Sequence, residues 1–265
     1  MTVVLVHGNP ENDAVWGPLV EALARRGVTD VSRLSPPGFG APVPDGFGAT
    51  VIEYRDWLIG ELERFDAPVD LVGHDWGGGH VTNVAMIRPD LLRSWASDVL
   101  GIYDPEYVWH ELAQVWQRPG DGEALVATMM GGTVRERAER YVPLGMTPEV
   151  AERVAAGQGD EMGRCILALY RSAAQPVLTE LGRDLPKAAA RRGLAINATE
   201  DHYVGTGEMV RRSAERAGAT VEVLDGLGHW WMVQDPDRGA EALTRFWASV
   251  ATVRDTARPA PRAAT

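Results

Sequence analysis

One stretch constrains the fold of this chain more than any other: Val69-Asp70-Leu71-Val72-Gly73-His74-Asp75-Trp76-Gly77-Gly78-Gly79-His80. An apolar strand pattern runs straight into small residues and then into a helical pattern. A nucleophile elbow has this form: G-x-S-x-G places a reactive side chain on a strained strand-to-helix turn, with glycines where the backbones nearly touch. Gly73-His74-Asp75-Trp76-Gly77 keeps the glycines and carries aspartate at the nucleophile position. Aspartate is also a favoured helix N-cap. Capping alone, however, requires neither the flanking glycines nor a buried strand leading in.

Around this turn, short β-branched runs alternate with longer helical patterns, as in a parallel sheet covered by helices. Val3–Val6, Val28–Leu34 and Val69–Val72 read as strands, and Ser94–Leu100, Leu194–Ala198 and Thr220–Leu224 as three more. Trp16–Arg26 and Val51–Phe65 carry apolar residues at helical spacing. Functional residues are expected at the carboxyl ends of the strands, where open α/β sheets place their ligand crevice. Residues 101–186 are helical in pattern and read as a cap inserted into a core made of residues 1–100 and 187–250. The cap is rich in large rings, Tyr103, Tyr107, Trp109, Trp116, Tyr141 and Tyr170, most of which it needs for its own packing. Residues 251–265 read as a disordered tail without a function.

Two more loops carry chemistry. His7-Gly8-Asn9-Pro10 follows the first strand; in elbow enzymes such a loop supplies one oxyanion-hole N–H, and the residue after the nucleophile, Trp76, supplies the other. Gly226-Leu227-Gly228-His229-Trp230-Trp231 follows the last strand and makes His229 the candidate base, completing the order nucleophile, acid, histidine. The acid that orients it is Asp201, on a polar turn after a strand, with Asp98 as the alternative.

With these residues in this order, the chain resembles the α/β-hydrolase superfamily over nearly its whole length. Its Gly-His-Asp-Trp-Gly-Gly run is similar to the branch of epoxide hydrolases and haloalkane dehalogenases. The resemblance implies an α/β-hydrolase fold, a mostly parallel sheet flanked by helices with a helical cap. Because the chain begins at the strand that is usually third, the early antiparallel strands are expected to be missing. The resemblance also implies the chemistry: the aspartate attacks an sp³ carbon to form an alkyl-enzyme ester, and the histidine activates the water that hydrolyses it. A serine would form an ether that resists this second step.

Epoxide hydrolases of this branch donate protons to the ring oxygen from cap residues, usually two tyrosines, with histidine in the first position in some bacterial members. Tyr170 resembles the second of these in its setting, and Trp109-His110 lies near where the first would fall. Dehalogenases hold the halide with indole and amide N–H groups. Asn9 and Trp76 resemble that pair, and Trp109 or Trp116 offers another indole. Haloacetate dehalogenases carry elbow arginines for the substrate carboxylate, where this chain has Trp76 and Gly79. Hydrolysis of an epoxide to a vicinal diol is therefore the first expectation and haloalkane dehalogenation the second. A binding module or non-hydrolytic pathway cyclase on the same fold is a third, of another class.

Composition narrows the partners. The formal charge of −11 disfavours nucleic acid and anionic membranes, and no segment reaches the length of a membrane span. The single cysteine, Cys165, rules out an internal disulfide and reads as a packing residue. No cofactor or metal is expected. The chain shows no secretory signal, so a cytoplasmic enzyme acting on a neutral, fairly hydrophobic small molecule with water is anticipated, with a homodimer an open alternative.

Overall fold

The computed structural model describes residues 1–256. Its six strands are β1 (Val3–Val6), β2 (Val31–Leu34), β3 (Val69–Gly73), β4 (Leu92–Ser97), β5 (Arg192–Ala198) and β6 (Ala219–Leu224). They form one sheet in the order β2-β1-β3-β4-β5-β6, every neighbouring pair parallel. Every residue of β1 and β3 is buried, since a parallel sheet with helices on both faces leaves no side of a central strand for water; β1 is wholly apolar, and the one charge in β3, Asp70, is paired with Arg93 and Ser94.

Two expected strands are shorter or displaced. Val28 ends the turn after the first helix, its N–H donated to the Leu23 carbonyl, so β2 starts only at Val31. The strand expected over 94–100 is displaced: β4 starts at Leu92 and stops at Ser97, and Leu100–Tyr103 winds into a 3₁₀ turn. Asp98 thus lies just past the strand end.

Helices α1 (Gly17–Arg25), α2 (Val51–Leu62) and α3 (Trp76–Ile87) precede β4. Thr50 and Glu53 form a reciprocal capping box that starts α2, and Tyr54, Leu58 and Leu62 turn its buried face to the sheet. Between β4 and β5 lie α4 (Glu111–Gln117), α5 (Asp121–Met130), α6 (Val134–Ala138), α7 (Pro148–Ala156), α8 (Asp160–Ser172) and α9 (Val177–Gly182). The chain continues with α10 (Gly207–Ala217), α11 (Trp231–Gln234) and α12 (Pro236–Thr256). Because α12 runs to Thr256, residues 251–256 are helical rather than tail; residues 257–265 lie outside those described. Among the described residues no helix is long and apolar enough to cross a membrane.

Apolar side chains gather into two clusters, one on each sheet face. Val4, Val6 and Leu71 join α2, α3 and the cap rings Trp109, Trp116 and Tyr170. Val3, Leu5 and Val72 join α1, α11 and α12 together with Tyr141, Val150 and Val154.

Candidate active site

The sheet order reverses at β1, whose chain returns on one side as β2 while β3 lies on the other. The loops leaving β1 and β3 therefore diverge, which opens a crevice at their carboxyl ends. Asp75 sits there at φ 50°, ψ −129°, a conformation costing on the order of 1–3 kcal/mol for a non-glycine residue. Its side chain makes no capping hydrogen bond to α3, so the N-cap role does not explain it. A Cβ on Gly73 would run into the Gly77 carbonyl, and one on Gly77 into the carbonyl of Val6. These two glycines let strand, helix and β1 close up behind the turn.

The two oxygens of Asp75 face different partners. Oδ1 accepts from the Asn9 backbone N–H at 2.9 Å and from its amide Nδ2 at 3.2 Å. Oδ2 lies 4.0 Å from His229 Nε2, beyond hydrogen-bond reach. On its other side, His229 Nδ1 pairs with Asp201 Oδ2 at 2.8 Å, and Asp201 is fixed further by the Tyr203 N–H. Of the two candidate acids, Asp201 meets the imidazole. Asp98, the alternative, does not: it accepts from the Asp75 backbone N–H, from His74 Nδ1 at 2.6 Å and from Trp231 Nε1.

Asp98 belongs to a second buried network that the sequence did not disclose. Glu11, fully buried, accepts from the Gly8 N–H and the Trp230 indole, and its Oε1 stands 3.5 Å from His74 Nε2. His74 is thus held between two carboxylates directly beneath the elbow, its ring 4.6 Å from that of His229. Its only sequence signal was an acidic residue directly after Asn9-Pro10 and a histidine inside the elbow motif. Neither can be told from spacing alone, because Glu11, His74 and Asp98 come from three different loops.

Burial sets the electrostatics and the neighbours modulate it. It raises Asp75 to about 6, against the pull of His229, His74 and the Asn9 and Trp76 N–H groups. Burial alone would lower His74, but Asp98 and Glu11 lift it to about 10, so a protonated imidazole underlies the elbow. For His229, burial is likewise outweighed, by Asp201 first, and its pKa lies above the usual value. Burial works to raise Asp201, yet its pairing with His229 holds it below the ordinary carboxylate range.

Above Asp75 lies a cavity of about 170 Å³, lined in part by Asn9, His110, Tyr170, Tyr203 and His229. His110 Nδ1 accepts the Ala113 N–H as the N-cap of α4. That fixes the tautomer, with the ring proton on Nε2, and burial lowers the His110 pKa to about 4. Burial and the Asp75 charge push the Tyr170 hydroxyl well above the phenol range, while the neighbouring Asn9 and Trp76 N–H groups act in the opposite sense. Trp109 stands apart from this cavity. It lines an adjoining recess of about 20 Å³ with Asp75 and Trp76, and its indole N–H, like that of Trp116, is buried without a partner. Tyr203, not foreseen from the sequence, packs its ring edge-on against both His110 and His229, at 5.0 and 5.1 Å. Among the described residues no cluster of three or more His, Cys, Asp or Glu side chains is arranged to hold a metal.

A family model described as the alpha/beta hydrolase family matches residues 3–242. The chain belongs to the alpha/beta hydrolase family. Within it, the chain is 30% identical over 95 residues to (E)-2-((N-methylformamido)methylene)succinate hydrolase of Acinetobacter baylyi, covering 36% of this chain and 35% of the relative. It is 32% identical over 96 residues to an epoxide hydrolase of Caballeronia sordidicola, covering 35% and 29%. The chain thus spans about a third of the length of these curated relatives. A loop variant of the haloalkane dehalogenase DbeA from Bradyrhizobium elkanii has the same fold, with a TM-score of 0.71 at 18% identity over 97% of this chain and 91% of that one.

Proposed function

We propose that this alpha/beta hydrolase converts an epoxide to a vicinal diol through an ester on Asp75. The observation that carries the reading is the placement of two neutral donors, the Tyr170 hydroxyl and the His110 Nε2–H, on the cavity that Asp75 enters. Asp75 Oδ2, free of the oxyanion contacts, attacks a ring carbon; the C–O bond breaks and its electron pair passes to the ring oxygen. Tyr170 and His110 stabilise that alkoxide and supply its proton.

Water then takes the place between Asp75 and His229, whose 4.0 Å gap fits no direct bond. His229 removes its proton while the oxygen attacks the Asp75 Cγ. Charge develops on Oδ1, where the Asn9 N–H already points and the Trp76 N–H also acts. Asp201 stabilises the imidazolium. The Cγ–Oδ2 bond then breaks, the departing alkoxide takes the proton back from the His229 imidazolium and leaves as the diol with Oδ2, and the new carboxyl, carrying an oxygen from water, returns its proton to the donor that protonated the ring oxygen. The Leu112, Met129, Trp116 and Leu144 lining suits an apolar substrate body.

Haloalkane dehalogenation is the second reading, favoured by the Asn9 amide N–H on Asp75 Oδ1 and by Trp76 next to Asp75 in the chain. Tyr170, edge-on to the Trp76 ring at 5.4 Å, lines the cavity with Asp75, which supports the epoxide instead. The intact mass of a His229→Ala variant incubated separately with epoxides and haloalkanes separates the two. A gain equal to the whole epoxide is expected; a gain equal to a haloalkane less hydrogen halide would establish the second reading, and no adduct from either panel would remove both.

A further inference from the structure

One cation lines the active-site cavity apart from the histidines. Arg140 follows α6, and its Nη1 donates to the Thr128 and Met129 carbonyls at 3.2 and 2.9 Å. Those carbonyls belong to the last turn of α5, where an arginine complements the helix dipole. The contact uses one nitrogen of three. Among the described residues no carboxylate lies within 4 Å of the guanidinium. The two acids nearest in sequence are both engaged elsewhere: Glu139 pairs with Arg135, and Glu136 accepts from the Thr133 backbone N–H and hydroxyl. Its neighbours behave differently: Arg135 pairs with Glu139, and Arg137 is buried and spread over the carbonyls of Met130, Gly132 and Ala155.

The cavity therefore has two unlike ends. Asp75, Tyr170 and His229 are at its inner end, buried or nearly so, whereas Arg140 is exposed and marks the mouth. Leu112, Trp116, Met129 and Leu144 line the same cavity and supply its apolar wall. A wholly neutral substrate would leave the open Nε and Nη2 fork facing only water. A carboxylate fits that fork with two parallel hydrogen bonds, and the apolar wall keeps it away from the Asp75 charge at the other end.

We propose that Arg140 is the anchor for a substrate carboxylate, so that the substrate is an apolar chain with its reacting carbon at one end and a carboxylate at the other. The identity of the reacting group rests on the epoxide reading above; the carboxylate site does not. The overall charge of −11 makes a local anchor necessary, since the molecule's long-range field repels such a substrate.

The test compares the wild type with Arg140→Leu, Arg140→Gln and Arg140→Lys. Calorimetry measures binding of hexanoate against hexanamide, and steady-state kinetics compares a terminal epoxide bearing a distal carboxylate with its methyl ester. The wild type is expected to favour the acid over its neutral match by about tenfold in both assays. Arg140→Leu and Arg140→Gln should abolish that ratio through KM rather than kcat, and Arg140→Lys should restore part of it. Arg140→Gln keeps a donor for the α5 carbonyls, so loss of the ratio in this variant separates anchoring from folding. An equal preference in wild type and Arg140→Gln would overturn the proposal. Arg140-dependent binding of hexanoate with no epoxide turnover would keep the anchor and reject the epoxide.

Discussion

In the proposed reaction Asp75 attacks as a carboxylate and is hydrolysed as an ester, and its surroundings respond to that change. In the free enzyme its charge helps raise His229; once the ester forms, that contribution vanishes and the imidazole is released toward its neutral, proton-accepting form. The pH dependence should therefore differ between the two steps. Single-turnover ester formation should fall as pH drops through about 6, where Asp75 takes up its proton. Ester hydrolysis should fall as His229 protonates, and equal profiles for both steps would contradict this division. The two acids also separate by substitution. Asp201→Asn should slow ester hydrolysis by roughly 10³-fold with little change in fold. Asp98→Asn should lower stability by about 3 kcal/mol, since it leaves His74 short of one carboxylate, and should spare hydrolysis by comparison; rapid quench and urea unfolding on the same variants read both. Of this site, Asp75 and His229 were legible in the sequence because their glycine-bracketed loops have no other use. Glu11 and His74 were not, because their roles arise only from loops meeting in space.

At the scale of elements, the elbow is a three-way contact of β1, β3 and α3 rather than a local turn. Gly77→Ala should consequently cost about 3 kcal/mol, since the new methyl meets the Val6 carbonyl, a backbone atom that cannot turn away. Thermal melting of that variant is the measurement, and an unchanged midpoint would show that β1 yields. The strands themselves were readable from β-branched runs, yet their ends were not. Val99 and Leu100 carry the apolar pattern on past Ser97, yet β4 stops where the chain must deliver Asp98 to His74. The cap helices were evident as helices. Which of their rings face Asp75 was only partly so: Tyr170 and His110 line the cavity, whereas Trp109 fills the recess beside it.

For the whole molecule, burial of histidines shapes stability against pH. His80 and His110 are pushed down to about 3 and about 4 by burial, so the folded state keeps them neutral where the unfolded chain would protonate them. Their contribution is complete above about 6.5 and is lost as pH falls toward those values. His74 works in the opposite direction: its folded pKa is raised, so its contribution is complete below about 6.5 and lost as pH climbs through about 10. Asp75, raised to about 6, favours the folded state at low pH and offsets part of the acid loss. Urea unfolding from pH 4 to 10 should show stability greatest near neutrality, with an alkaline decline that flattens in His74→Asn. Stability that rises steadily to pH 10 would contradict the buried imidazolium.

The cap rings at this site, Trp116 and Tyr170 on the cavity and Trp109 on the recess beside it, belong to the same apolar cluster as Val4 and Leu71 under the sheet. The chamber and the core are one material. Attempts to widen the substrate range by trimming Trp116 or Tyr170 will draw on the stability of the entire chain, and evolution toward bulkier substrates will need compensating gains elsewhere before it can proceed.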